Sequence, residues 1–480
     1  MQRLTNWIQG RYKAICLLLI LGGTAMYAVF SMNSLVWADE AYTFAMIRHS
    51  FPEIWRITAA DVHPPLYYFL LKLLSAPFGY SLAVSRMLSA LPCVLILAVA
   101  AYQLPRLFGK QTAVLFMVLY LCYPFTMTYA TETRMYSLAE LFVFLNALYA
   151  YRCWKDNLKK DWALFALSGV CAAYTHYFAL VSAGVVYLIL LIVSVRKKRE
   201  LLKGWVLASA ATVLLYLPWL GCFVSQIAYK VNNEYWIEPI TIRTVLSYAK
   251  TIFSANGITL YPVFAGAAFF IAFVALLTSR DRKAISMTLC SLAVPLGTVA
   301  IGLAASVLVR PVFVIRYLLP SVPLAIFAFA YALGRMKNEQ LFAALMTVAL
   351  MGGCSNAAHT AKTALLPDAN RISNSLLDSL PRCDAYVILD GNTMHASQEL
   401  AYYDPETPVY TPDPLGPDNP YPNRISLEDF RLEDYSCILL VLEAGGTVPD
   451  TFQSSFASEF LLCVDVSGTG QDLWYLTGAE

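Results

Sequence analysis

Residues 162–203 read WALFALSGVCAAYTHYFALVSAGVVYLILLIVSVRKKRELLK. One bilayer crossing takes about 20 mostly apolar residues. The apolar part, 162–195, is longer than that, and Thr175-His176-Tyr177 interrupt it midway. Read as one helix, it leaves Arg196, Lys197, Lys198, Arg199 and Lys203 on the outer side of a membrane. Read as two spans, 162–176 and 178–195, it returns those cations to the inner side. The positive-inside rule selects the second reading, and the rest of the topology follows from it.

Working outward, further spans fall near 14–31, 82–104, 111–126, 134–152, 203–222, 258–278, 284–308, 314–334 and 339–356, which makes about eleven. The inner connections then carry Arg106 and Lys110; Arg152, Lys155, Lys159 and Lys160; Arg280, Arg282 and Lys283; and Arg335 and Lys337. Each is short and basic. Arg11 and Lys13 precede the first apolar run, and no convincing cleavage site precedes Trp37, so this run reads as an uncleaved anchor with its N-terminus in the cytoplasm. The composition agrees: 58% of residues are hydrophobic and 14% charged, with a mean hydropathy of +0.57. A soluble domain carries about 25% charged residues. The sequence predicts a mostly α polytopic protein of the cytoplasmic membrane.

The net charge of +2 conceals two regions. Residues 361–480 hold 5 Lys+Arg against 19 Asp+Glu, so an acidic tail follows a basic membrane part. An odd number of spans puts that tail outside. The expected domains are 1–358, in the membrane, and 359–480, a small soluble α/β domain. Strands are expected at Ala385–Asp390, Cys437–Glu443 and Phe460–Val466, a helix at Thr393–Tyr403, and a loop over the Pro- and Asp-rich 404–424. Cys437 and Cys463 could pair in an oxidising space. No spacing of Cys and His suggests a zinc site. No nucleic-acid partner is implied.

The outer segments hold the unusual residues. Residues 32–81 form the first outer loop, with Trp37-Ala-Asp39-Glu40-Ala-Tyr42 and Asp61-Val-His63-Pro-Pro-Leu-Tyr-Tyr68. Asp39–Phe51 has helical periodicity, with Ala41, Phe44, Ala45 and Ile47 on one side, and is expected to lie along the membrane surface. Pro65–Ala76 is apolar but too short to span, and is expected to dip in from the outer face. A second outer segment, 223–256, mixes Tyr229, Lys230, Glu234, Tyr235 and Trp236. Asp39, Glu40, His63, Glu132, Arg134, His176, Arg310 and Arg316 all fall outside or at outer helix ends. A charge near the bilayer centre costs at least about 2.5–3.5 kcal/mol. One site at the outer surface would account for the whole set. Singly, each residue has a plainer reading. Asp39 could be a helix N-cap, His63 a turn residue and Glu132–Arg134 an internal ion pair. Arg316 could snorkel to the surface, and His176 could be a satisfied polar group between helices. Glu140, deeper in its span, is either paired with a neighbouring helix or part of the site.

Taken together, four stretches resemble the multi-spanning GT-C glycosyltransferases, in the bacterial branch similar to protein O-mannosyltransferases and lipid A aminoarabinose transferases. They are Asp39-Glu-Ala-Tyr42, His63-Pro-Pro-Leu-Tyr-Tyr68, Glu132-Thr-Arg134-Met-Tyr136 and Arg316-Tyr317-Leu-Leu-Pro320; Tyr174-Thr-His176-Tyr-Phe178 adds a fifth. The likeness covers roughly residues 10–335. It implies a GT-C-like membrane domain and a sugar donor carried on a polyprenyl phosphate. It implies inverting transfer at the outer face to a lipid, glycan or protein acceptor. Asp39 would be the catalytic base, with Glu40 orienting the acceptor or a metal. Arg134, Arg316 and His63 would meet the donor phosphate, and Tyr42, Glu132, Tyr136, His176 and Tyr317 would line the substrate site. Related aminoarabinose transferases have a lysine at the position of His63 and a glutamate at that of Val62. His63 could therefore contact phosphate or ligate a metal, and a divalent ion stays an open cofactor.

The chemistry is coherent on its own terms. A sugar hydroxyl is a poor nucleophile, and an aligned carboxylate can take its proton as the new bond forms. A departing phosphate is already an anion, so fixed cations suffice and no general acid is needed. The sequence has neither an Asp-x-Asp element nor a phosphate-cradling glycine loop, which argues against a nucleotide-sugar donor. The alternative is a transporter or flippase of a lipid-linked glycan. Transporters place ionisable groups near mid-membrane and often show internal repeats; here the polar groups cluster at one boundary.

Overall fold

A computed structural model describes residues 2–232, 237–278 and 281–478; of 2–4 and 229–232 only the backbone is described. Glu234, Tyr235, Trp236 and Arg280, and the side chains of Tyr229 and Lys230, lie outside the described residues. The chain divides into two units. One comprises Met1–Ser31, Val62–Tyr67 and Ala83–Lys362; the other comprises Met32–Asp61, Tyr68–Leu82 and Thr363–Glu480.

The first unit is helical. A helix underlies each of the eleven predicted spans, but only eight among the described residues are long and apolar enough to cross a membrane alone. The others are Lys110–Cys122, Tyr136–Asp156 and Lys159–Thr175. Polarity explains Tyr136–Asp156. Its Glu140 accepts a hydrogen bond from Tyr120 Oη at 2.6 Å, Asn146 donates to the carbonyl of Phe165 at 2.9 Å, and Arg152 Nε donates to Asp161 at 2.8 Å. Inside a bundle each polar group finds a partner on a neighbouring helix, so the helix needs no uniformly apolar surface. Glu140 is thus paired with a neighbouring helix. Lys159–Thr175 and Tyr177–Lys197 are separate helices, as the sequence predicts. His176 between them has extended backbone (φ −159°, ψ 139°), and its Nδ1 accepts the amide of Phe178 at 3.1 Å, which starts the second helix.

The second unit is built on a six-stranded sheet. Its strands are β1 (Ala385–Ile388), β2 (Val409–Thr411), β3 (Arg424–Ser426), β4 (Cys437–Glu443), β5 (Phe456–Val466) and β6 (Thr469–Gly478), in the order β3-β2-β1-β4-β6-β5. β3, β2, β1 and β4 are mutually parallel; β6 runs antiparallel to β4 and β5. The central parallel strands β1 and β4 are covered on both faces and read as nearly unbroken apolar runs. Tyr386 and Ile388 of β1 face one core with Leu439 and Val441 of β4, while Ala385 and Val387 face the other with Ile438 and Leu440. The predicted helix Thr393–Tyr403 forms as expected and supplies Ala396, Leu400 and Ala401 to the first core. β2 falls inside the stretch 404–424 that the sequence suggested as loop, β3 starts at its last residue, and β6 was not foreseen. Cys437 and Cys463 are free thiols, and no disulfide joins them.

The first outer loop contributes to this same unit. Ala38–Arg48 and Phe51–Ala60 are helices; the second is capped by Ser50 and Glu53 in a reciprocal box. Ala41 and Val36 lie in the first core beside Ile372, Tyr386, Leu400 and Val409. The expectation that this stretch rests on a membrane surface is therefore corrected for its apolar side. Ala41 is buried in the α/β core, and Phe44 packs against Tyr402 at 5.2 Å between ring centroids.

Burial also charges this core with a titration. Glu399 is fully buried, and its carboxyl is pushed up to about 8 by desolvation, which Arg371 at 3.3 Å opposes. The unfolded chain releases that proton near pH 4.5, whereas the folded one holds it until about 8. Stability from this group is therefore full below pH 4.5 and falls as pH rises to about 8, by at most about 1.4 kcal/mol per pH unit. Hydrogen exchange of the β1 and β4 amides in the full-length protein should quicken across that window, and Glu399→Gln should flatten the change.

Candidate active site

The motif acids sit at the start of Ala38–Arg48. Trp37 is the N-cap and offers no side-chain cap, so Asp39 and Glu40 occupy the first turn rather than the cap. A carboxylate there is favoured by the helix dipole by about 0.3–1 kcal/mol. Asp39 is half-buried and Glu40 is 1% exposed. Tyr42, four residues from Ala38 on the same helix, is half-buried. Its hydroxyl donates to the carbonyl of Asp418 at 3.4 Å, and its ring meets Tyr68 edge-on at 6.4 Å. His49 Nε2 lies 2.9 Å from the carbonyl of Pro420. The Pro- and Asp-rich loop of the tail thus braces the helix that carries the acids. That loop is itself held by Asp413, which accepts from Thr393 Oγ1 at 2.7 Å, Thr411 Oγ1 at 2.8 Å and Arg424 at 3.2 Å.

A second cluster forms within the transmembrane unit. Residues 130–135 make an irregular turn in which the Arg134 amide donates to the Glu132 carbonyl at 2.6 Å. Arg134 is 3% exposed, and its guanidinium lies 3.5 Å from His63 Nε2. His63 is set by the buried Pro64-Pro65 pair that follows it. Its ring lies 6.0 Å from that of His176, which is also 6.0 Å from Tyr136 and 4.9 Å from Tyr317. His63, Arg134 and Arg316 all lie close enough to act on the buried His176 ring. With Nδ1 accepting from Phe178, neutral His176 carries its proton on Nε2 and presents one donor. Arg134 and Arg316 bring fixed positive charge close to it. Glu132 and Arg310 are partly buried at the rim segments of the same unit. Among the described residues, no three His, Cys, Asp or Glu side chains gather to hold a metal ion.

The sequence singled out Tyr317 but not the packing that walls this cluster. Phe178 stacks on Tyr317 at 5.2 Å and touches Phe313 at 5.3 Å. Ser306 Oγ accepts the amides of Val312 and Phe313, which turns the chain toward Arg316. Gly302 lets Phe313 and Phe178 approach its helix: a β-carbon there would lie 2.5 Å from one ring and 2.9 Å from the other. A lone glycine in an apolar helix gives no local sign of this. Gly302→Val should destabilise the protein by about 1–3 kcal/mol and disturb the Tyr317–His176 contact, as read by thermal unfolding in detergent.

Residues 62–221 match the family model described as dolichyl-phosphate-mannose-protein mannosyltransferase. Among solved structures, the chain is similar to ArnT from Cupriavidus metallidurans in the apo state, with a TM-score of 0.63 and 12% identity over 96% of this chain and 97% of that one. It is equally similar to the same protein bound to undecaprenyl phosphate, with a TM-score of 0.63 and 13% identity over 98% of each chain. A comparison with curated proteins gives no match. At such identities the structural likeness speaks to the fold, and in the fold the resemblance drawn from the sequence is borne out.

Proposed function

We propose that this multi-pass membrane protein, which has the GT-C fold, is a glycosyltransferase that moves a sugar from a polyprenyl-phosphate donor to an acceptor hydroxyl. The observation that carries the reading is the cluster of buried Arg134 and His176 with half-buried His63 near Arg316, walled by Tyr136 and Tyr317. Fixed cations among aromatic rings suit an anion that arrives on a lipid. The ArnT chain of the same fold is bound to undecaprenyl phosphate, and the matched family is described by a dolichyl-phosphate-mannose donor.

In this reading the acceptor oxygen attacks the anomeric carbon as the bond to the phosphate oxygen breaks, with inversion. The acceptor proton passes to Asp39, and Glu40 orients the hydroxyl. The polyprenyl phosphate leaves as an anion. Arg134 and Arg316 hold its charge, while neutral His176 donates a hydrogen bond. Cations already in place spend no reorganisation energy when the charge develops. Tyr42, Glu132, Tyr136 and Tyr317 line the sugar and acceptor positions. The reaction takes place on the outer face of the cytoplasmic membrane, with the tail outside.

Mass spectrometry of envelope glycans and glycolipids from cells with and without the protein tests this. A species that differs by one sugar is expected. Identical profiles, together with translocation of a lipid-linked glycan by the purified protein, would establish the transporter instead.

A further inference from the structure

At the basic end of the helical unit, opposite the arginine–histidine cluster, Tyr136–Asp156, Tyr177–Lys197 and Arg282–Leu308 enclose a crevice of about 420 Å3, within the range of ligand pockets. One mouth is lined by Lys197, Arg282 and Lys283. Below it the walls are mostly apolar, interrupted by Ser286 and Ser291, and reach Val186 on one helix and Val294 on the other. Each lies eleven residues from the cation on its own helix, Lys197 or Lys283, or about 16 Å at 1.5 Å per residue. That matches one leaflet, half of a hydrocarbon core about 30 Å thick. Leu188, Ile192 and Leu289, next in sequence to the lining residues Ile189, Val193 and Cys290, are 53%, 41% and 46% exposed, apolar exposure that suits a lipid-facing surface.

The charge is not neutralised from within. Among the described residues, no carboxylate pairs with Lys197, Arg282 or Lys283. Asp281, next in sequence, faces Arg335 at 3.8 Å, and Asp161 faces Arg152. Lys198 is engaged elsewhere: its Nζ donates to the Trp154 carbonyl at 2.8 Å and lies over that ring. A tryptophan beside cations at a helix end is the pattern of a membrane–water interface. An apolar slot one leaflet deep, with three cations at its polar end, fits one kind of occupant. We infer that it binds an anionic glycerophospholipid from the leaflet on the basic side, with its phosphate between Lys197, Arg282 and Lys283 and an acyl chain along the slot. Basic pockets between membrane helices take such headgroups.

The test is retention of phosphatidylglycerol against phosphatidylcholine of matched chains by the full-length protein in detergent, read by native mass spectrometry. Wild type should retain phosphatidylglycerol about tenfold better, an effect of the size expected for cations at a membrane surface. Raising the salt should shrink the preference, and Lys197→Gln/Arg282→Gln/Lys283→Gln should bring it near parity. Ser291→Trp, which fills the slot and keeps the charges, should lower retention of both lipids. Arg134→Gln should leave the preference intact, which separates this site from the proposed donor site. Equal retention by wild type, or an undiminished preference in the triple variant, would overturn the proposal. Competition by glycerol 3-phosphate as strong as by the lipid would do so too, because it would show an anion site with no use for the slot.

Discussion

Asp39→Asn should lower sugar transfer by about 10²–10⁴-fold, the usual contribution of a positioned general base, while leaving the protein folded. The amide keeps the shape of the carboxylate but cannot take a proton. Asp39 makes no helix cap and lies half-buried in the first turn. Losing its charge removes about 0.3–1 kcal/mol of favourable interaction with the helix dipole. The loss should fall on kcat, because the proton moves only as the new bond forms. Turnover at saturating donor, with thermal unfolding as the control for folding, decides the matter. Transfer at the wild-type rate by a folded Asp39→Asn protein would remove Asp39 from the mechanism. Glu40→Gln should cost less turnover, since Glu40 is assigned only to orient the acceptor.

Arg134→Gln should cost about 10²–10³-fold in kcat/KM, comparable to the loss of one fixed donor from an anion-stabilising site. The guanidinium is buried against His63, so water cannot replace its charge. Arg134→Lys should recover little, because a single ammonium does not reproduce the planar fork that grips two phosphate oxygens. Combining Arg134→Gln with Arg316→Gln should give less than the product of the two losses if both grip one phosphate. Binding of polyprenyl phosphate to the purified variants, measured beside transfer, separates weakened donor capture from a slowed chemical step. Wild-type binding and transfer by Arg134→Gln would exclude it from the donor site.

The membrane part was legible because its signal is local. Length and charge at the helix ends locate the segments around 162–203, and His176 announces its own break. The expectation of eleven spans went beyond what length and hydropathy support, since helices such as Tyr136–Asp156 bury polar residues against one another. The sequence offered the arginines and histidines only as residue types at predicted helix ends; that His63, Arg134 and His176 lie side by side is visible only in three dimensions. What the sequence lacked was the wall: Phe178 against Tyr317, and Gly302 beneath Phe313, are contacts between segments far apart in the chain. In the tail, β1, β4 and Thr393–Tyr403 declared themselves by unbroken or periodic apolar runs. β2 and β3 have three residues each in a Pro- and Asp-rich stretch, too short for any periodicity to emerge. The periodicity of Asp39–Phe51 was read correctly as a helix with an apolar side. Nothing local could say that a domain more than 300 residues away fills that side.

The seat of Ala38–Arg48 has a practical corollary for anyone recombining such proteins. Grafting a foreign C-terminal domain after residue 362 would strand Val36 and Ala41 against a surface never shaped for them. A working chimera must carry residues 32–61 and 363–480 as one cassette, although most of the polypeptide separates them. Natural exchange of these domains faces the same constraint, since a crossover between the two segments parts a helix from its mould.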